Sequence, residues 1–420
     1  MYMYLQMRPR LPFLNQNSLL MKKSIIIILL LIFTFIAFAQ KPKDYYLSGM
    51  AKMKTGKMDS AVYFLDQAIM EEPDSYKYYL RRGEAKYSIG RYNEALLDFK
   101  TIDPLRISLA DLWLAKCYAR LNNRDLAVEY LKSYLQSDSK LPLKEIKKDE
   151  AFDQLQLTEE WYQIWQTQWY SQEESLKEDI DYLINQGNYL GALTLIDEKL
   201  KDSNNPQVLY QYRAQIEVMQ GNYRAASMDW TEVINENKND YTLYKERGLA
   251  YLKSKKFKES VNDLSKAIRM ESADFNLYLL RAEAYKGVND LKSAIGDLSF
   301  YMSFFPDDVT ILYFLGELQY IDEKYVDALR SFNKCLMHDD SNSDYYKARG
   351  KTYYQTGLYK YAIDDLSMSL DLNATDGETY YYKGMARFYS GDKSGACDDW
   401  KESASLGEVK SVEQLIRNCQ

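Results

Sequence analysis

Residues 309–342 read VTILYFLGELQYIDEKYVDALRSFNKCLMHDDSN, and residues 343–376 read SDYYKARGKTYYQTGLYKYAIDDLSMSLDLNATD. Laid one over the other without a gap, these two lines of 34 residues set Gly350 on Gly316, Ala362 on Ala328 and Leu366 on Phe332. The register extends both ways, from Gln207 to Leu406, in blocks beginning at Gln207, Tyr241, Phe275, Val309, Ser343 and Gly377. Numbering each block from 1, slot 8 is always tiny: Ala214, Gly248, Ala282, Gly316, Gly350, Gly384. Slot 20 is small, from Ala226 to Ala396, and slot 24 is large and apolar: Trp230, Leu264, Leu298, Phe332, Leu366, Trp400. A strict period of this length marks a repeat array, because one such unit cannot bury its own apolar face and must stack on its neighbours.

Slots 4, 8 and 11, and again 20, 24 and 27, are three or four apart, which puts each set on one face of an α-helix. Near slot 15 stands a breaker such as Gly221, Asn289, Gly357 or Gly391, so two helices fold back on each other. Residues equidistant from that bend then meet, and small faces large: Gly316 receives Phe332, and Gly384 receives Trp400. Slots 7 and 23 change together. They hold Arg82 and Asp98, Arg213 and Asp229, Arg247 and Asp263, Arg281 and Asp297, Arg349 and Asp365, and Lys383 and Asp399. Where slot 7 is Ser48, Leu114, Asp179 or Leu315, slot 23 is Phe64, Tyr130, Leu195 or Ser331. The pattern predicts a cross-hairpin ion pair in six repeats, exposed and worth about 0–1 kcal/mol each.

These residues, with Tyr at slot 11 (Tyr251, Tyr285, Tyr353) and Pro at slot 32 (Pro73, Pro306), resemble the tetratricopeptide repeat (TPR), and the likeness covers about ten repeats. It implies an all-α, TPR-like right-handed superhelical solenoid of helix-turn-helix repeats whose groove, lined by first helices, receives peptide or protein partners. Most later repeats lack the slot-32 proline, so their second helices are expected to run on or end less sharply. The resemblance assigns slots 2, 5, 9, 12 and 13 of the first helices to the groove. The candidate partner-binding residues are thus Tyr313, Glu317 and Tyr320, with Ile321, in the eighth repeat; Lys347, Lys351 and Tyr354 in the ninth; and Tyr381 and Phe388 in the tenth. Tyrosine supplies amphipathic contact area, and two lysines four apart would hold an acidic group.

Taken in order, residues 1–20 read as a start assigned too early, and 21–39 as a bacterial secretory signal. Lys22 and Lys23 precede an apolar run from Ile25 to Ile36, and Ala37-Phe38-Ala39 would leave Gln40 first. An uncleaved anchor is the other reading of that run. An N-terminal array of about three repeats spans 42–139, and an aromatic helical interlude spans 140–172. A C-terminal array of about seven repeats covers 173–406, and a capping helix 407–420. In the interlude, Trp161, Trp165 and Trp169 recur every four residues and form one stripe on a helix capped by Thr158, either packed between the arrays or exposed for docking. The cap's Val409, Val412, Leu415 and Ile416 are expected to cover the end of the array. Cys397 and Cys419 fall at one height on antiparallel helices, which permits a disulfide in an exported protein.

Composition narrows the function. With 54 Lys plus Arg against 61 Asp plus Glu, and no long basic cluster after Gln40, the chain is not built for nucleic acid. The one histidine, His338, sits in a polar turn beside Asp339 and Asp340. Cys-x-x-Cys and H-E-x-x-H motifs are absent, so no cofactor, metal or catalytic group is expected. The reading is a non-enzymatic scaffold of the periplasm or cell envelope. The alternative is a structural envelope component anchored by an uncleaved signal.

Overall fold

The structure is a computed structural model that describes residues 41–102, 107–137, 140–203 and 206–419; the expected signal at 21–39 lies outside them. Among the described residues the secondary structure is helical throughout, with no strand. Contacts divide the chain into two compact units, one ending at Ser171 and one beginning at Gln172.

In the first unit, the helix over 41–54 pairs with Met58–Glu71, Tyr76–Ser88 with Tyr92–Thr101, and Ile107–Arg120 with Arg124–Leu135. The interlude is a run of short turns: Leu143–Lys148, Glu150–Phe152, Leu155–Leu157 and Glu159–Ile164. It is part of the first unit's core, where Phe152, Trp161 and Ile164 join Phe99, Leu131 and Leu135. The tryptophans do not form a helical stripe. Thr158 caps the helix as expected, its hydroxyl accepting from the Trp161 amide, but the helix ends at Ile164. The Ile164 carbonyl accepts from the Trp169 indole Nε1 at 2.6 Å as well as, at 3.4 Å, from the Thr167 amide in a tighter turn that ends the helix. Trp161 is buried, Trp165 and Trp169 pack half-buried on the same core, and all three serve packing.

Among the described residues the second unit holds seven hairpins. The fourth repeat pairs Gln172–Asn185 with Tyr189–Leu200, and the fifth Gln207–Met219 with Tyr223–Glu236. The sixth pairs Tyr241–Lys253 with Phe257–Met270, and the seventh Asn276–Gly287 with Leu291–Phe304. The eighth pairs Val309–Ile321 with Tyr325–His338, the ninth Ser343–Gln355 with Tyr359–Leu372, and the tenth Gly377–Ser390 with Lys393–Ser405. We call the two helices of each repeat A and B. Each B helix packs on its own A helix and, in the later repeats, on the next A helix, as a solenoid requires.

Small does face large. A Cβ placed on Gly316 would stand 2.6 Å from the Phe332 ring, and one on Gly384 2.6 Å from Trp400. The bend is set by one left-handed residue at slot 15 of every repeat: Gly56, Gly90, Gly187, Gly221, Gly357 and Gly391, but also Asn122, Lys255, Asn289 and Glu323. B helices end at slot 30 with or without a following proline, at Glu236, Met270, Phe304, His338 and Leu372. They do not run on, because the next backbone N–H closes on the slot-27 carbonyl and an Asp or Asn then caps the following A helix. Asp308 and Asp376 are two such caps.

All six ion pairs form, but they are not exposed. Asp98, Asp229, Asp263, Asp297, Asp365 and Asp399 are all buried, and the arginines grip theirs with two nitrogens, as Arg247 does Asp263 at 2.7 and 2.9 Å. The third guanidinium nitrogen reaches back to the preceding B helix, onto Asp66, Asp197, Thr231, Ser265 or Asn333. Each arginine thus ties its own hairpin to the previous one. In the eighth repeat, where the pair is missing, the Ser331 hydroxyl donates to buried Gln319 at 2.8 Å instead.

The capping helix, Val409–Asn418, packs on the last hairpin with a different face from the one expected. Ser411 is fully buried against Ser403, their hydroxyls 2.6 Å apart, while Val409, Val412 and Ile416 face solvent. Two constraints set that rotation: the small serine contact at one end, and the Cys397–Cys419 disulfide, Cα atoms 5.8 Å apart, at the other.

Candidate binding face

On an A helix, slot 8 points at its B partner, and slots 5, 12, 9 and 13 follow around one flank at about 60°, 40°, 100° and 140° from it. In the eighth and ninth repeats that flank encloses a cavity of about 280 Å³. Tyr313, Glu317, Tyr320 and Ile321 form one wall and Lys347, Ala348 and Lys351 the other, with Phe332 behind and Glu378 at the rim. Five of the eight residues that the sequence nominates are therefore brought together here. Tyr354 sits in an adjoining tyrosine cluster, its ring 5.8 Å from Tyr382 and 6.1 Å from Tyr389. Tyr381 and Phe388 line neither this cavity nor the next; Phe388 packs on Trp400 at 5.7 Å, and Tyr381 lies under Lys410.

A second cavity, about 360 Å³, lies one junction earlier between the seventh and eighth repeats, lined by Leu279, Leu280, Glu283, Lys286, Ile311 and Phe314. Sequence reading missed it, although Leu279, Glu283 and Lys286 occupy slots 5, 9 and 12 of the seventh repeat, the same slots that mark the first cavity.

The lysines are not free to hold an acidic group. Lys347 donates to Asp376 at 3.0 Å and lies 2.9 Å from Asp344; Lys351 donates to Glu378 at 2.7 Å and lies over the Tyr382 ring. The expectation that these two lysines hold a partner's acidic group meets the fact that the chain supplies the counter-ions itself, Asp344 and Asp376 from the same block and Glu378 from the next. Burial works against the Lys347 charge, but its two carboxylate partners prevail and hold its pKa above the usual lysine value. Asp376 is held below its usual value: burial opposes this, but hydrogen bonds from Lys347 and the Thr379 amide outweigh it. Burial pushes the Tyr313 phenol up, and the charges of Glu317 and Asp344 add to that while Lys347 opposes. Burial, with Tyr389 next, pushes Tyr354 up to about 12. Glu317 itself is half-buried and has no ion-pair partner among the described residues.

Elsewhere the reactive groups are engaged or inert. Asp339 accepts from the amide and hydroxyl of Ser341, a turn cap beside exposed His338. Cys117 and Cys335 are buried, which pushes their thiols up to about 12 and about 11. Among the described residues, no group of three or more His, Cys, Asp or Glu is placed to hold a metal ion.

No protein-family model matches the sequence, and comparison with curated proteins finds no match. Solved structures do resemble it. A tetratricopeptide repeat protein from Parabacteroides merdae is 17% identical over 59% of this chain and 98% of its own, with a TM-score of 0.42. The C-terminal part of a TPR repeat-containing protein from Cytophaga hutchinsonii is 19% identical over 57% of this chain and 98% of its own, at 0.49. YrrB, described as a TPR protein with an unusual peptide-binding site, is 14% identical over 44% of this chain and 96% of its own, at 0.39. On its own evidence of a 34-residue period, antiparallel hairpins and a small residue against a bulky one in repeat after repeat, the chain has the tetratricopeptide-repeat fold.

Proposed function

We propose that this protein is a non-enzymatic scaffold of the periplasm or cell envelope of a bacterium, and that it holds an extended segment of a partner protein along the A helices of repeats seven to nine. The observation that carries the reading is the pair of cavities at consecutive A–A junctions, lined by aromatic, aliphatic and charged side chains at matching slots. An extended segment places side chains at regular intervals, and a row of shallow pockets suits it better than it suits a small substrate, which needs one deep pocket. The exposed histidine and the inert thiols support a role without covalent chemistry. The Cys397–Cys419 bridge supports export, since such bonds persist in oxidising compartments.

The test is quantitative capture from a bacterial envelope extract with the wild-type chain and with Tyr320→Ala/Ile321→Glu, which alters the cavity wall while leaving slots 8, 20 and 24 intact. A partner that the wild type recovers and the variant loses supports the groove. Equal recovery by both refutes it. The mass of the protein from the same cells tests export: a chain beginning at Gln40 is expected, and one retaining residues 21–39 contradicts the soluble scaffold.

A further inference from the structure

Resting on that groove, we infer that its occupant is a basic segment, with one lysine or arginine side chain seated on Glu317 between Tyr313 and Tyr320. The charges lining the cavity point this way once their existing partners are taken into account. Lys347 lies within ion-pair distance of two carboxylates, and Lys351 is neutralised by Glu378, so neither ammonium is left to attract an anion. Glu317 remains, with no ion-pair partner among the described residues. An incoming carboxylate would have to displace Glu378 and then lie close to Glu317. An incoming cation meets the unpaired Glu317 carboxylate and the Tyr313 ring, while Tyr320, with Lys351 over its ring at 5.9 Å, adds apolar wall.

The field agrees with this arrangement: after burial, the nearby Glu317 and Asp344 charges are what raise the Tyr313 phenol, despite Lys347. The neighbouring cavity supplies no second seat, because its carboxylate, Glu283, is exposed, and water weakens an ion pair there. There Glu283 stands with Lys286, whose ammonium already lies over the Phe314 ring at 5.1 Å. A bare metal ion is a poor occupant, because two carboxylates, one of them already held by Lys351, and two phenols offer too few hard ligands and about 280 Å³ is far too large. A long side chain carrying a terminal cation suits both the volume and the aromatic walls.

The experiment selects from a displayed library of random nonapeptides on the immobilised full chain. Recovered peptides are then made with acetylated and amidated ends and titrated by fluorescence anisotropy. The expected result is that the recovered peptides share a lysine or arginine, and that Glu317→Gln weakens them about three- to tenfold. Replacing the shared basic residue by glutamine should weaken binding to the wild type by a similar factor and add little on top of Glu317→Gln. The peptide substitution requires no protein variant, so the result does not depend on how Glu317→Gln folds. Peptides that share an acidic residue, or basic peptides indifferent to Glu317→Gln, overturn this inference and leave the groove standing. If no peptide is recovered that Tyr320→Ala/Ile321→Glu loses, the groove falls and the inference falls with it.

Discussion

Replacing Arg349 with methionine removes a guanidinium that grips Asp365 through Nε at 2.6 Å and Nη2 at 2.7 Å, and Asn333 of the preceding repeat through Nη1 at 2.7 Å. Asp365 is 6% exposed, so its carboxylate would be left buried without its counter-ion. Breaking a fully buried pair in this way costs about 3–5 kcal/mol. Arg349 retains one-fifth side-chain exposure, so water already screens part of the pair and about 2–3 kcal/mol is expected. Removing both charges in Arg349→Met/Asp365→Leu should return the repeat to within about 1 kcal/mol of wild type, since neutral packing can replace such a pair. The eighth repeat does this naturally with Leu315 and Ser331. The penalty also has a pH signature. Burial raises the Asp365 carboxyl above its ordinary value while Arg349 pulls it down, so without Arg349 it rises further. A carboxyl whose folded value is raised carries no penalty while protonated in both states. It loses stability as pH climbs from the unfolded value near 4 through the folded one. The cost of Arg349→Met should therefore be small at pH 4 and grow as pH rises towards 7. Repeat arrays need not unfold in one step, so the readout is amide hydrogen exchange in helices Ser343–Gln355 and Tyr359–Leu372, with urea midpoints alongside. A penalty below about 0.5 kcal/mol at pH 7, or a double variant no better than the single, refutes the reasoning.

Gly316→Ala forces a methyl to within 2.6 Å of the Phe332 ring and should cost about 1–3 kcal/mol by thermal denaturation; adding Phe332→Leu should recover most of it, because the seventh repeat pairs Ala282 with Leu298. Glu323 holds φ at +57° where six other repeats use glycine, so Glu323→Gly should stabilise by about 0.5–1 kcal/mol in urea melts, and a loss of stability contradicts the turn geometry. Reducing the Cys397–Cys419 bridge should destabilise the cap by about 3 kcal/mol in the loop-entropy model, read as faster exchange in Val409–Asn418. Intact mass after alkylation should count two thiols without reductant and four with it, since Cys117 and Cys335 are unpaired.

What was legible in the sequence is what the repeat enforces. Slot 8 must be small because a B-helix side chain occupies its space, and six blocks state that constraint six times. The Arg–Asp pairs were legible because they change together, but their burial was not, since burial depends on how consecutive hairpins stack. The signal for the arginine's second arm was present at Asp66, Asp197, Thr231, Ser265 and Asn333, each bearing a side-chain oxygen sixteen residues before an arginine. Two of the features misread occur only once. The interlude has no second copy to compare, and a period of four in its tryptophans cannot reveal that an indole will take the carbonyl ending the helix. The cap's apolar stripe gave the wrong inward face because its rotation is set by Ser411 and by a covalent bond, neither of which contributes to hydrophobic periodicity.

The same distinction separates scaffold from site on the A helices. Slot 5 carries lysine twice, as Lys245 and Lys347, and each pairs with the carboxylate 29 residues on, Asp274 at 2.8 Å and Asp376 at 3.0 Å. A contact that recurs at the same offset answers to the architecture, so Lys347 has a structural explanation complete without a ligand. Slot 9 runs Leu249, Glu283, Glu317, Lys351 and Met385, with no common partner and no common chemistry. Stacking imposes nothing on that position, since it points away from both the B helix and the core. Lys351 has a compensating charge in Glu378 at 2.7 Å, whereas Glu283 is exposed and only shares its cavity lining with Lys286. Glu317 has aromatic walls and a neighbouring cavity but no ion-pair partner among the described residues. Its charge is half-buried where that of Glu283 is exposed, and the titration of Glu317→Gln bears on that charge directly.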